Sequence, residues 1–93
     1  MLNHNTYFDG QVQSVGFERH GLKQSVGVIA PGQFRFDTGA PERMTVVSGQ
    51  LVIKLDGSDE WRTYPAGTYF EVAANSAFDV KTDHPTAYLC EYL

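Results

Sequence analysis

Apolar and polar residues alternate with a period of two along most of this chain, the pattern of β-strands rather than of helices. The segment 50–55, for example, places Leu51, Ile53 and Leu55 on one face of a strand. Many short strands separated by regular turns predict an all-β sandwich or barrel. Turn residues occur at Gly21, Pro31-Gly32, Gly39-Ala40-Pro41, Ser48-Gly49, Asp56-Gly57-Ser58, Pro65-Ala66-Gly67, Asn75-Ser76 and Asp83-His84-Pro85.

One set of residues has the spacing of a known β-barrel signature. Glu42 is followed seven positions later by Gly49, and after a further hairpin comes Pro65-Ala66-Gly67. This frame resembles the two-part signature of the cupins, whose domain is a jelly-roll barrel, also called a double-stranded β-helix. The expectation is one all-β, cupin-type domain over residues 1–93. Residues 1–10 are a candidate N-terminal arm that becomes ordered against a partner chain.

The metal ligands of that signature have no counterpart in this chain. A metal cupin carries His-x-His just before the Glu, and a third His three residues after the Pro-x-Gly glycine. Here Phe70 occupies the third position, and the chain's own histidines (His4, His20 and His84) are far apart without ligand spacing. The sequence therefore predicts a metal-free barrel that needs no cofactor. The segment before Glu42 reads Arg35-Phe36-Asp37-Thr38-Gly39-Ala40-Pro41.

Charge and composition limit the classes of partner. Seven basic and eleven acidic residues give a net charge of -4, which argues against a nucleic-acid or anionic-membrane surface, since both need a basic patch. The N-terminus lacks the charged stretch and apolar run of a targeting signal, and one cysteine, Cys90, excludes an intrachain disulfide. We expect a cytoplasmic protein, and a homodimer would bury surface that a domain this small leaves exposed.

The barrel frame also predicts which side chains face the pocket. The Glu and the third ligand position of a cupin point inwards, so strand alternation places Glu42, Met44, Val46 and Phe70 on the inner face. A carboxylate among Phe and Met side chains is desolvated and needs hydrogen-bond donors or a raised pKa. Adjacent hydroxyl groups of a sugar are suitable donors, because one carboxylate accepts from two of them at once.

The register before Glu42 is open by one residue, because the gap length in cupins varies. In one register Phe36 and Thr38 stand where the His-x-His would be and line the mouth of the pocket. In the other register Arg35 and Asp37 take those places. Phe36 and Phe70 are each either core residues or a stacking surface for a flat ring.

Two further features bear on ligand chemistry. Lys23 lies just before a predicted strand of alternating apolar residues, and Ser25 lies at its start. Together with Thr38 these residues offer hydrogen-bond donors for an anion site. Cys90 alternates with Tyr88 and Tyr92, which is the pattern of a small buried residue rather than of a nucleophile.

Motifs along the whole chain resemble the small bacterial pyrimidine/purine nucleoside phosphorylases of the cupin superfamily, formerly a family of unknown function. No single piece is diagnostic, whereas the full-length order is specific. The motifs are Tyr7-Phe8-x-Gly10-x-Val12-x-Ser14-x-Gly16-Phe17, Ser25-Val26-Gly27-Val28, Pro41-Glu42-x-Met44-Thr45-Val46, Ser48-Gly49, Trp61, Tyr64, Ala66-Gly67, Phe70-x-Val72, Ser76-x-Phe78 and Tyr88-Leu89-Cys90-x-Tyr92-Leu93.

This resemblance implies phosphorolysis of purine and pyrimidine nucleosides to a free base and pentose 1-phosphate, with inorganic phosphate as co-substrate. It also implies a homodimer and no required metal. For such chemistry Glu42 would bind the ribose hydroxyls and Met44 would pack against the sugar. Lys23, Ser25 and Thr38 are the first candidates for holding phosphate, and Arg35 and Arg43 are the alternatives. The aromatic candidates for facing the base are Phe36, Phe70 and Tyr92.

Other functions fit the same residues. A metal-free cupin barrel can bind a sugar or nucleoside without catalysis. A sugar isomerase or epimerase would use Glu42 with Tyr88 or Tyr92 as an acid–base pair on opposite faces of the substrate. In a purely structural dimer, large side chains such as Met44 and Phe70 would fill the barrel and leave no pocket.

Overall fold

The computed structural model describes residues 2–93, and its ten β-strands form two antiparallel sheets; Met1, the first residue of the predicted arm, lies outside this range. In spatial order the larger sheet contains β1 (Asn3–Tyr7), β2 (Val12–Arg19), β3 (Leu22–Ile29), β10 (Thr86–Tyr92), β5 (Glu42–Ser48) and β8 (Tyr69–Val72). The smaller sheet contains β4 (Gly32–Asp37), β9 (Ala77–Thr82), β6 (Gln50–Leu55) and β7 (Arg62–Pro65). The all-β prediction is confirmed.

The hydrophobic core lies between the two sheets, because each strand turns alternate side chains towards the other sheet. The alternation predicted for β5 is confirmed: Met44 and Val46 are 2% and 1% exposed, whereas Val47 is 58% exposed. The smaller sheet contributes buried residues with the same period, such as Leu51 and Ile53. The inner face of β5 is thereby fixed, and Glu42 stands at its first position.

The glycines of the Glu-x6-Gly and Pro-x-Gly frame are required by turn geometry. Gly49 and Gly67 have φ of 98° and 88°, a region that side chains other than glycine rarely adopt. A Cβ on Gly49 would also lie 2.5 Å from Oγ1 of Thr86, whose hydroxyl donates to the carbonyl of Gln50. The turn after β5 therefore needs glycine for both its φ and its close approach to β10.

Strand β1 lies within residues 1–10, the segment that the sequence suggested as an arm. Residues Asn3–Tyr7 pair with β2 of the same chain, with Tyr7 opposite Val12. All five residues of β1 are exposed, because it is an edge strand of a six-stranded sheet that faces only four strands. The inner face of this edge is the wall of an open groove. Within residues 2–93, no helix is long and apolar enough to cross a membrane.

Candidate functional site

A pocket of about 340 Å³ opens between the larger sheet and β4. Its volume lies in the range of small-molecule sites. It therefore leaves room for a ligand beside Glu42 and Met44, where a filled barrel would leave none. Its lining is Tyr7, Phe8, Val12, Ser25, Arg35, Phe36, Asp37, Glu42, Met44, Tyr88, Cys90 and Tyr92.

Strand register places the polar groups of the pocket next to one another. Cys90 of β10 is opposite Ser25 of β3 on one side and Met44 of β5 on the other, so these three share one row of the inner face. Glu42 is opposite Tyr92 in a neighbouring row. The pairing follows from the antiparallel ladders, in which directly opposed side chains point to the same face. The carboxylate, thiol, phenol and hydroxyl thus meet in one patch.

Glu42 is a half-buried carboxylate with one close hydrogen-bond donor. The thiol Sγ of Cys90 donates to Oε1 of Glu42 at 3.4 Å. Burial raises the pKa of Glu42 above its ordinary value, and the bond from Cys90 opposes that shift in part. Burial and the neighbouring Glu42 raise the pKa of the Cys90 thiol to about 12, so at neutral pH it is a protonated donor and not a thiolate. The carboxylate of Glu42 can therefore accept further hydrogen bonds from the donor groups of a ligand.

Tyr88 forms the inner wall of the pocket and depends on a glycine. It is 6% exposed and is opposite Gly27 in the ladder between β10 and β3. A Cβ on Gly27 would lie 2.5 Å from Oη of Tyr88, so only glycine lets the ring lie flat over β3. Burial raises the pKa of Tyr88, which therefore stays a neutral phenol.

A second groove continues from the pocket along β1 and β3. The two cavities share Ser25 and Tyr92, and Lys23 lies in the groove beyond them. The amides of Asn3 and Asn5 line its β1 side. Lys23 and Ser25, which the sequence predicted for an anion site, therefore line the same groove, and Ser25 also lines the pocket that contains Glu42.

Side chains from both registers before Glu42 line the pocket. Phe36 is half-buried, lines the pocket and packs edge-on against Phe78 at 5.3 Å between ring centroids. Arg35 stands at the rim with its guanidinium directed at two carboxylates, 2.8 Å from Asp56 and 3.3 Å from Asp79. Phe36 therefore packs towards the core from β4, and the exposed side chains of Arg35 and Asp37 line the same pocket.

Two residues that the sequence predicted for the site, Thr38 and Phe70, do not line the pocket. Thr38 is buried, and its hydroxyl donates to the carbonyl of Ala73 at 2.6 Å and accepts from the backbone N–H of Ser76 at 3.0 Å. Phe70 is 4% exposed and contacts other rings of the core. The structure does not place these side chains at the mouth, because Thr38 is hydrogen-bonded to the loop at Ala73–Ser76 and Phe70 is part of the hydrophobic core. We leave both out of the site.

Tyr7 and Phe8 line the pocket and were absent from the sequence-based set. They end β1 and begin the turn to β2, which folds back over β4. The signal available in the sequence was the motif Tyr7-Phe8-x-Gly10, but strand periodicity does not show that the turn bends towards the pocket.

The residues at the metal positions of the cupin frame do not fit a metal ion. Phe36 and Phe70 carry no donor atoms, and the Thr38 hydroxyl is engaged with backbone groups. In the described range 2–93, no three His, Cys, Asp or Glu side chains are grouped so that they could hold a metal. His4, His20 and His84 are exposed.

Comparison with known proteins places the chain in a family. The family model described as pyrimidine/purine nucleoside phosphorylase matches residues 2–92. The chain belongs to this family. A relative of that name from Sorangium cellulosum is 67% identical over 93 residues, which cover 100% of both chains. The family resemblance inferred from the sequence is thereby confirmed.

Solved structures share the fold of this chain. A protein of unknown function from Vibrio parahaemolyticus has a TM-score of 0.98 and 52% identity, with 100% of this chain and 99% of that chain covered. The Cupin_2 domain of an XRE family transcriptional regulator from Enterobacter cloacae has a TM-score of 0.63 and 22% identity, over 75% and 78% of the chains. The latter likeness concerns the fold alone, and it confirms the cupin type.

The raised pKa of Glu42 gives a pH-dependent stability. A raised pKa means that the folded chain binds this proton more tightly than the unfolded chain does. The free energy of unfolding therefore falls as pH rises from the ordinary carboxyl range through the folded pKa. We expect Glu42→Gln to melt at a higher temperature than wild type at pH 7.5, and the difference to shrink at pH 4.5.

Thermal unfolding at both pH values checks this expectation, with Glu60→Gln in the exposed loop before β7 as the matched control. The control should follow the wild type at both pH values. A Glu42→Gln variant that is less stable than wild type at pH 7.5 would show that the carboxylate is stabilised in the fold rather than desolvated.

Proposed function

We propose that this chain is a nucleoside phosphorylase of broad specificity that converts purine and pyrimidine nucleosides and phosphate to a free base and pentose 1-phosphate, without a metal or other cofactor. The name shared by its relatives supports the reaction class. The observation that carries the proposal is that two cavities adjoin. The pocket that contains Glu42 and the rings of Tyr7, Phe8 and Phe36 shares Ser25 and Tyr92 with a groove that contains Lys23.

The reaction needs a site that supports a developing sugar cation. The bond from C1′ to a phosphate oxygen forms while the bond from C1′ to the base nitrogen breaks. That nitrogen takes the electron pair, together with the proton of hydrogen phosphate. Glu42 accepts hydrogen bonds from the ribose hydroxyls and places negative charge near the ring as it becomes positive. Met44 shares the inner face of β5 with Glu42 and packs against the sugar.

The groove that contains Lys23 is the proposed phosphate site. Lys23 supplies a positive charge, and Ser25 with the amides of Asn3 and Asn5 supplies neutral donors. Ser25 also borders the pocket that contains Glu42, so phosphate held there lies beside the ribose. Glu18, which is opposite Lys23 in the ladder between β2 and β3, lines the same groove and weakens anion binding.

We further propose that the protein works as a cytoplasmic homodimer. The outer face of β2 and β3 carries an exposed apolar patch of Val15, Val26 and Val28, with Val15 directly opposite Val26. A second copy is the proposed occupant, because a 93-residue domain has little surface to bury within itself.

Light scattering tests the dimer. The wild type should have twice the mass of one chain, and Val26→Glu should have the mass of one chain. A monomeric wild type would refute the dimer.

Phosphorolysis is tested by incubating chelator-treated protein with uridine, cytidine, adenosine and inosine, with and without phosphate. We expect release of pyrimidine and purine bases only when phosphate is present. Glu42→Gln should lower kcat/KM on the order of 100-fold, because one stabilising partner of the sugar cation loses its charge. The thermal stability of the variant shows that it is folded.

Release of base without phosphate would indicate a hydrolase. Absence of release from every nucleoside would favour a barrel that only binds ligands. Unchanged turnover of Glu42→Gln would remove this residue from the mechanism.

The phosphate groove is tested by two substitutions with opposite expected signs. Lys23→Met should raise KM for phosphate about tenfold, since a charge-assisted hydrogen bond is lost. Glu18→Gln should lower KM for phosphate, because it removes a repelling charge from the same groove. Lys54→Met, on the outer side of β6, is the control for net charge. Equal effects of Lys23→Met and Lys54→Met would exclude a local role for Lys23.

A further inference from the structure

Phe8 is an exposed aromatic ring in a strained turn at the mouth of the pocket. Phe8, Asp9 and Gly10 have consecutive φ values of 52°, 55° and 85°. Glycine adopts this left-handed region freely, and Asp does so at moderate cost, but a bulky residue such as Phe rarely does. A bulky side chain persists there only where the surrounding structure holds it, and such outliers cluster at ligand sites.

Backbone hydrogen bonds hold the turn in this conformation. The N–H of Gly10 donates to the carbonyl of Tyr7, and the N–H of Gln11 donates to the carbonyl of Phe8, each at 3.1 Å. The N–H of Ala30 donates to the carbonyl of Gln11 at 2.8 Å, which fixes the turn to the end of β3. The direction of the Phe8 side chain is therefore set by the fold.

The left-handed conformation aims the Phe8 ring across the pocket mouth. Its centroid lies 5.8 Å from that of Phe36 with an interplanar angle of 28°, and 5.0 Å from that of Phe34. Despite these contacts Phe8 remains 44% exposed, so part of the ring is free to meet a ligand. Phe36 also contacts Phe78, which is part of the hydrophobic core. The core therefore fixes the position of the Phe36 ring against which Phe8 packs.

We propose that Phe8 is the surface on which the nucleobase stacks, and that it determines the tolerance for base identity. This inference rests on the proposed function. Lys23 lines the groove but not the pocket, and the pocket contains the rings of Phe8 and Phe36. When phosphate occupies the groove, the base of a nucleoside can therefore lie against these rings. Stacking uses the π-face that every base has and reads no edge groups.

The test compares Phe8→Gly, Phe8→Trp and His20→Gly. Phe8→Gly removes the ring and relieves the left-handed strain at once. His20→Gly relieves the same kind of strain, since His20 has φ of 53°, in the turn between β2 and β3. Phe8→Trp keeps an aromatic face. KM for uridine, inosine and phosphate is measured for each variant, and calorimetry gives Kd for adenosine without phosphate.

We expect Phe8→Gly to raise KM for both nucleosides and Kd for adenosine by about tenfold, since loss of stacking acts on every base. KM for phosphate should not change. His20→Gly should bind nucleosides as the wild type does, and Phe8→Trp should bind them more tightly than Phe8→Gly because it keeps an aromatic face. Melting temperatures near the wild-type value verify that each variant is folded.

Unchanged nucleoside KM and adenosine Kd in Phe8→Gly would overturn the proposal, as would an equal loss in His20→Gly. If wild type binds adenosine but does not turn it over, the proposed reaction fails, while the Kd series still tests Phe8. If the wild type does not bind adenosine at all, the stacking proposal fails as well.

Discussion

The contact between the Cys90 thiol and the Glu42 carboxylate, 3.4 Å long, lies at the centre of this site. It places a charge-bearing group on the inner face of a sheet whose other residues there are mostly apolar. Because burial raises the pKa of both groups, the thiol remains a donor and the carboxylate is left short of partners. A sugar with adjacent hydroxyls supplies those partners, so the same desolvation that weakens the fold favours the ligand.

The shape of the site follows from an imbalance between the two sheets. Six strands face four, and the edge strand β1 has no opposing strand to cover its inner side. The uncovered strip is polar, with Asn3, Asn5 and Lys23, whereas the covered part carries Met44 and Phe36. The pocket and the groove thereby form one surface that offers aromatic rings and Glu42 in one part and Lys23 in the other, which suits a nucleoside next to a phosphate.

Strand period and the spacing of Glu42 and Gly49 were sufficient to predict the all-β fold and the inward face of β5. Phe36, Glu42 and Met44 line the pocket, a position that follows from alternation next to a fixed turn. That Phe70 and Thr38 do not line it could not be predicted, because a position in the cupin frame does not show whether a core ring or a backbone carbonyl occupies that space. Phe8 was missed because its left-handed backbone contradicts its residue type.

A competition experiment between uridine and inosine tests whether one site takes pyrimidine and purine nucleosides alike. Both nucleosides are supplied at saturating concentration with phosphate, and ribose 1-phosphate is followed by phosphorus NMR. A shared site predicts that the total rate in the mixture lies between the two separate rates. Rates that add in the mixture would contradict a single pocket at Glu42.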